Sequence, residues 1–279
     1  MHEPITSVTN SRVKRLVKLR NRRQRDASGV FLIEGFRELT RAVDAGLAVR
    51  EIYFCPDLFL GGNEDALVER AVAGGAEPVC LGSQAFRKVS YRDRPEGLIG
   101  LADQFSTALD GLPLSSNPLI LVVESIEKPG NLGTMLRTAD AAGVDGVIVC
   151  EPTTDPFNPN VVRASLGCLF LVPLAVSSTS QAIQWLADNG IRTFAATPAA
   201  TLYYWHADFR GPSAIVIGSE QYGLTETWLR EAREQIRIPM GGQVDSLNAA
   251  MAAGVALFEA IRQRSAGEAS NVQPDTRIS

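Results

Sequence analysis

Apolar positions along the 279 residues group in two alternating ways. Short, nearly unbroken runs rich in β-branched residues occupy 119–123, 147–149, 193–196 and 214–217. Runs of that length and density predict strands covered on both faces, as in a parallel sheet. Between them, helical spacing predicts helices over 132–142, over 180–189 with Gly190 as the stop, and over 225–234 with Thr225 as N-cap. The longest helix is expected over 247–264, where Leu247, Met251, Val255, Phe258 and Ile261 recur at helical spacing.

The first hundred residues alternate likewise. Strands are expected over 30–33, 51–54, 77–80 and 97–101, and helices over 11–19, 36–45 and 65–73. Val13, Leu16 and Val17 share one face of the first helix. Residues 105–118 mix Gly, Pro and Ser without a sustained period, as a linker does. The expected organisation is therefore an α/β domain over 1–105, a linker over 106–118, a second α/β domain over 119–265 and a polar, disordered tail over 266–279.

Composition narrows the chemistry. A chain with 45% hydrophobic and 21% charged residues is globular. No apolar run approaches the roughly 18 residues of a membrane span. Residues 1–25 are polar and basic, without a signal-peptide core, so a cytoplasmic location is expected. Cys55, Cys80, Cys150 and Cys168 lack metal-ligand spacing and read as free thiols, with no metal expected. His2 and His206 are the only histidines, which removes most Ser–His, Cys–His and zinc chemistries. The net charge of −4 hides a basic arm: Arg12, Lys14, Arg15, Lys18, Arg20, Arg22, Arg23 and Arg25 occur with no acid among them. Such an arm suits a polyanion such as RNA; the alternative is a solvated helix face or a flexible arm.

Three segments carry the candidate chemistry. Pro129-Gly-Asn-Leu-Gly133 follows a strand and opens the helix bearing Arg137. Glycines there permit close backbone approach, and a helix N-terminus attracts anions. Ile217-Gly-Ser-Glu220 ends another strand with a turn and a carboxylate, which either binds a ligand or caps the turn near Gly223. Ile238-Pro-Met-Gly-Gly forms an irregular loop with backbone groups for recognising a flat base, and Ser246 or Asn248 starts the last helix as its N-cap. No GxGxxG follows the first strand of either domain, and no GxxxxGK[ST] occurs, so a dinucleotide fold or P-loop NTPase is disfavoured.

Together these segments resemble the three signature motifs of the SpoU/TrmH family of RNA ribose 2′-O-methyltransferases, in the family's order. Asn131-x-Gly133-x-x-x-Arg137-x-Ala139 matches the first, Gly218-x-Glu220-x-x-Gly223-Leu224 the second, and Ile238-Pro-Met-x-Gly-x-x-x-Ser246-Leu-Asn248 the third. Asn158-Pro-Asn-Val-Val-Arg163-Ala-Ser165 is similar to a family segment between the first two. The front half, with Phe31-Leu-Ile-Glu34-Gly35-x-Arg37 and Pro95-Glu-Gly-Leu, resembles the substrate-binding domain of many members. One departure is Ala249-Ala-Met251, where the family often continues Val-Ser-x.

The resemblance implies an L30e-like α/β domain ahead of a SPOUT domain, a parallel α/β sheet closed by a trefoil knot. It implies S-adenosylmethionine as cofactor, contacted by Thr197, Gly218, Glu220, Leu224, Ile238, Met240, Leu247 and Asn248, with adenine held largely by backbone. Arg137 would orient a phosphate and has been given the base role, with Asn131, Glu220, Ser246 and Asn248 as the polar shell. RNA contacts would fall on Lys14, Lys18, Arg20, Arg22, Arg23, Arg25, Arg37 and Arg163. A homodimer with its site near the subunit interface is expected. The substrate class expected is ribosomal RNA; alternatives are tRNA, or a non-catalytic RNA-binding assembly factor. The last would be expected to have lost Asn131, Arg137, Glu220 or Asn248, and all four remain.

Overall fold

The computed structural model describes residues 3–265, so the tail expected to be disordered, 266–279, lies outside the described residues. The front of the chain runs α1 (Ser11–Lys18), α2 (Arg22–Ser28), β1 (Val30–Glu34), α3 (Phe36–Asp44), β2 (Val49–Phe54), α4 (Glu64–Ala73), β3 (Glu77–Cys80), α5 (Ser83–Val89) and β4 (Leu98–Asp103). Then come β5 (Leu119–Glu124), α6 (Pro129–Ala142), β6 (Gly146–Cys150), α7 (Pro159–Ala164), β7 (Leu174–Ser177) and α8 (Thr179–Asp188). The remainder is β8 (Arg192–Ala196), β9 (Leu202–Tyr203), β10 (Ser213–Ile217), α9 (Glu226–Glu231), β11 (Glu234–Arg237) and α10 (Ala249–Ser265). Two compact units result. One joins Met1–Thr107 with Glu127–Asp140 and Thr153–Pro173; the other joins Ala108–Ile126, Ala141–Pro152 and Leu174–Ser279.

The first unit holds a four-stranded sheet in the order β1-β4-β2-β3. β4 lies antiparallel to β1 and β2, and β3 is parallel to β2. One core layer packs Val13, Leu16, Phe86 and Val89 onto Leu32, Tyr53, Ile99 and Leu101. Every residue of β1 is buried, because its other face is also covered: the Phe31 ring lies 5.0 Å from Phe157 and 6.1 Å from Phe170. Helix α2, absent from the apolar pattern, is set by its ends. Asn21 accepts from Arg23 N at the start, and Gly29 takes a left-handed φ of 63° at the finish.

The second unit is a seven-stranded sheet, β7-β6-β5-β10-β8-β11-β9, in which every pair is parallel. The apolar runs read from the sequence become β5, β6, β8 and β10, and β5, β6 and β10 are buried throughout. From β5 the chain first builds outward through β6 and β7, then crosses to β8, β10, β11 and β9 on the other side. Open α/β sheets bind ligands beyond the carboxyl ends of their strands.

Three expectations need correction. α6 begins at Pro129 rather than 132, so Pro129-Gly-Asn is its first turn and not a loop; proline fits the first helical position because its missing N–H has no partner there anyway. α9 stops at Glu231 instead of 234, since Thr193 Oγ1 accepts from Arg233 N and the chain then pairs with β8 as β11. α10 buries Ala249, Ala250, Ala253, Ala256, Leu257 and Ala260, while Met251 and Phe258 are 60% and 51% exposed.

Candidate active site

β8, β10 and β11 are parallel, so Ala196, Ile217 and Ile238 emerge from one edge of the sheet. The segments that follow them enclose a cavity of about 430 Å³. Thr197, Gly218, Glu220, Leu224, Ile238, Met240, Ser246 and Leu247 all line it, so the second and third motif segments form one site. Ser219, Tyr222, Asp245, Ala249 and Ala252 line it too, residues that carry no motif signal beforehand.

The second segment is a closed turn. Ser219 N donates to Gly223 O at 3.1 Å, Gly223 N returns a bond to Ser219 O at 3.0 Å, and Gly223 has φ 69°. A Cβ on Gly218 would sit 2.2–2.4 Å from the backbone of Gly223 and Leu224. Glycine is therefore required to close the turn on itself, and the turn in turn shapes the cavity. Beneath it, the fully buried Glu124 carboxylate accepts from Thr225 N at 2.8 Å, Thr225 Oγ1 at 3.0 Å and Thr179 Oγ1 at 2.6 Å. Glu124 thus ties the end of β5 to the starts of α8 and α9. Its only trace in the sequence is an acid closing an apolar run.

Both carboxylate oxygens of Glu220 are buried and have no hydrogen-bond partner among the described residues. An ionised carboxylate in that state is costly unless a cation or donor meets it. With Asp245 also on the lining, the cavity suits a cationic ligand, and Ile217, Leu224, Ile238, Met240 and Leu247 supply apolar walls for a flat ring. Asn248 does not line the cavity: its Oδ1 accepts from Ala250 N at 3.0 Å and Met251 N at 3.4 Å, so it caps α10.

The first motif lies in the other compact unit. A Cβ on Gly133 would come within 2.5 Å of Ala164 Cβ and 2.7 Å of Ser165 N, so this glycine lets α6 and α7 pack closely rather than admitting a ligand. Asn131 stands in the first turn of α6. Arg137 is exposed, with Thr134 Oγ1 3.5 Å from Nη2 and no ion pair among the described residues. Arg163 is exposed on α7, and Arg37 on α3.

The basic arm divides into structural and exposed cations. Arg12 pairs with Glu77 and Arg15 with Glu51. Arg20 donates to the carbonyls of Lys88, Val89 and Ser90 and lies 5.0 Å over the Tyr91 ring. Arg25 corrects the sequence reading most clearly. It is 1% exposed, donates to Leu19 O and Arg20 O, and pairs with Asp155 at 2.5 Å, so it cannot meet an RNA phosphate. Arg22 approaches Asp26 at 3.6 Å. Lys14, Lys18 and Arg23 remain exposed without an ion pair among the described residues. No group of His, Cys, Asp and Glu among the described residues could hold a metal, and none of their helices is long and apolar enough to cross a membrane.

Residues 118–258 match the SpoU rRNA Methylase family, and residues 10–100 match the MRM3-like substrate binding domain. The chain is 33% identical over 242 residues to the 23S rRNA (guanosine-2′-O-)-methyltransferase RlmB of Ralstonia nicotianae, covering 84% of this chain and 96% of the relative. Among solved structures, the AdoMet-bound rRNA methyltransferase from Sinorhizobium meliloti superposes with a TM-score of 0.85 at 32% identity, over 93% of this chain and 97% of that one. A structure concerned with the 2-OH methylation of C/U34 on tRNA matches at 33% identity and a TM-score of 0.51, covering 55% of this chain and 99% of that one.

Proposed function

The chain belongs to the SpoU rRNA methylase family, and on that premise we propose that it transfers a methyl group from S-adenosylmethionine to a ribose 2′-hydroxyl of structured RNA, in the 23S RNA of the large ribosomal subunit. It is an RNA 2′-O-ribose methyltransferase, and S-adenosylmethionine is its cofactor. The observation that carries the reading is Glu220: a buried carboxylate without a hydrogen-bond partner among the described residues, in a cavity walled by apolar side chains and strand-end backbone. S-adenosylmethionine supplies a methyl group on a sulfonium, an electrophile that needs no further activation. The residues present fit it. Glu220 offers its carboxylate to a ribose hydroxyl or to the ligand's positive charge, and the backbone around Thr197, Gly218, Ile238, Met240 and Leu247 holds the adenine.

The rest of the task is positioning and proton removal. We assign Arg137 to a substrate phosphate, since a guanidinium stays charged and makes a poor base. Ser246 adds to the polar lining of the cavity, Asn131 is assigned with Arg137 on α6 to the substrate, and Asn248 acts by fixing the start of α10. Ribosomal RNA is favoured over tRNA because the 23S rRNA relative aligns over 84% of this chain, front domain included, whereas the tRNA-directed structure matches 55%. In this reading residues 1–105 form the L30e-like substrate-binding domain with its basic arm, 106–118 the linker and 119–265 the methyltransferase domain. The protein works in the cytoplasm as a homodimer, and its C-terminal segment is threaded as a trefoil knot. Arg264 donates to the carbonyls of Asn117, Pro118, Phe209 and Gly211, which holds the end of α10 against the start of the domain.

Isothermal titration with S-adenosylmethionine tests the reading, comparing wild type with Ala252→Phe, which fills the cavity from α10. Micromolar-range binding weakened more than tenfold in a variant of unchanged circular dichroism is expected. A wild-type protein that binds no S-adenosylmethionine and methylates no ribosomal RNA overturns it.

A further inference from the structure

An aromatic cluster on the second unit has no part in the cavity. β9 is the edge strand of the sheet, paired with β11 so that Tyr203 faces Arg237. The Tyr203 and Trp205 rings stack at 4.9 Å with 16° between their planes. The Arg237 guanidinium lies 4.5 Å from the Tyr203 centroid. Arg237, Tyr203 and Trp205 therefore form a column, with the Tyr204 ring set edge-on to Trp205 at 5.1 Å and Trp205 itself 42% exposed. The exposed His206 ring stands 6.1 Å from Trp205.

A half-exposed tryptophan stiffened from below by a second ring and a cation is a surface for another flat π-system. Its position says which one. β8, β10, β11 and β9 are parallel, so the column rises from the same carboxyl edge as the cavity, and Arg237 immediately precedes the cavity-lining Ile238. Strand spacing puts it about 10 Å from β8, across two strand gaps. Nucleotides flanking a ribose held at the cavity would run along that edge. We propose that the Tyr203–Trp205 stack is a landing platform for an unpaired nucleobase of the RNA substrate beside the methylated nucleotide. The proposal rests on the RNA methyltransferase reading above. Stacking of this kind accepts any base, so the platform sets affinity and register rather than sequence.

The test titrates the full-length protein with a short single-stranded oligoadenylate, followed by tryptophan fluorescence, and measures methyl transfer to a 23S RNA transcript. In wild type the emission is quenched on binding. Trp205→Ala weakens affinity about tenfold and raises KM for the transcript similarly, with a smaller effect on kcat. Trp205→Phe recovers much of that affinity, because a phenyl ring still stacks. Unchanged S-adenosylmethionine affinity in both variants shows that the fold and cavity persist. If wild type methylates RNA and Trp205→Ala matches it in affinity and KM, the platform is wrong. If Trp205→Ala instead dissociates a dimer and leaves RNA affinity unchanged, the surface belongs to a second copy of the chain, and the platform is again wrong. Oligoadenylate binding through Trp205 without any methyl transfer supports the platform and overturns the function proposed above.

Discussion

At the scale of single residues, the decisive groups are those whose surroundings leave them one role. Gly218 has no room for a methyl group, so Gly218→Ala is expected to open the Ser219–Gly223 turn and abolish S-adenosylmethionine binding while leaving most helical circular dichroism intact. Arg25 illustrates the opposite of its apparent promise. Arg25→Ala would strand the buried Asp155, a loss of about 3–5 kcal/mol measurable by urea unfolding. Glu51 carries a pH signature. Burial pushes its carboxyl up, but hydrogen bonds from Arg15 and Tyr53 outweigh this and hold it below the ordinary glutamate value. Burial and the neighbouring Glu51 meanwhile push the Tyr53 hydroxyl up to about 12. The stability that Glu51 contributes is therefore present above the ordinary glutamate value and fades as pH falls through the lowered one. Glu51→Gln should flatten the acid limb of a stability–pH curve followed by thermal unfolding.

At the scale of elements, α10 separates periodicity from burial. Its large apolar residues and its alanines both recur at helical spacing, and the sequence alone does not say which face the sheet takes. The alanine face lies against the sheet because a smooth helix can approach strand β10 closely, which leaves Met251 and Phe258 outward. Met251 and Phe258 are thus available to a partner chain. The homodimer proposed above would use them, so Phe258→Glu should shift the protein from dimer to monomer in light-scattering chromatography. Helix α9 was mis-bounded for a related reason: its end is set by a distant segment, with Arg233 N donating to Thr193 Oγ1, and not by local spacing.

At the scale of the whole molecule, charge distribution has a consequence for RNA. Structural pairing withdraws Arg12, Arg15, Arg20 and Arg25 from the basic arm and leaves Lys14, Lys18 and Arg23 exposed. Replacing those three by Gln should leave stability within about 0.5 kcal/mol. The slope of log affinity against log salt should become shallower by about 2 in filter binding to structured RNA. The arm is thus a helical pair fixed to its domain, with its phosphate-facing charge reduced to a few positions.

The sequence by itself determined the α/β class, the buried parallel strands and the segments that line the cavity. Strands covered on both faces must be continuously apolar, and tight backbone turns at strand ends must be glycine-rich, so both leave local marks. Glu220, Ile238 and Met240 were legible for that reason, whereas Thr197 and Leu247 were reached through the resemblance to the SpoU/TrmH family. Only the tertiary structure decided which arginines are buried, that Asn248 rather than Ser246 caps α10, and that Glu124 anchors two helix starts. It alone placed Ala249 and Ala252 on the cavity and stacked Tyr203 beneath Trp205. Arg25, Glu124, Ala249 and Ala252 take their roles from partners far away in the chain, and an alanine or arginine has the same local signature whichever partner the fold brings to it.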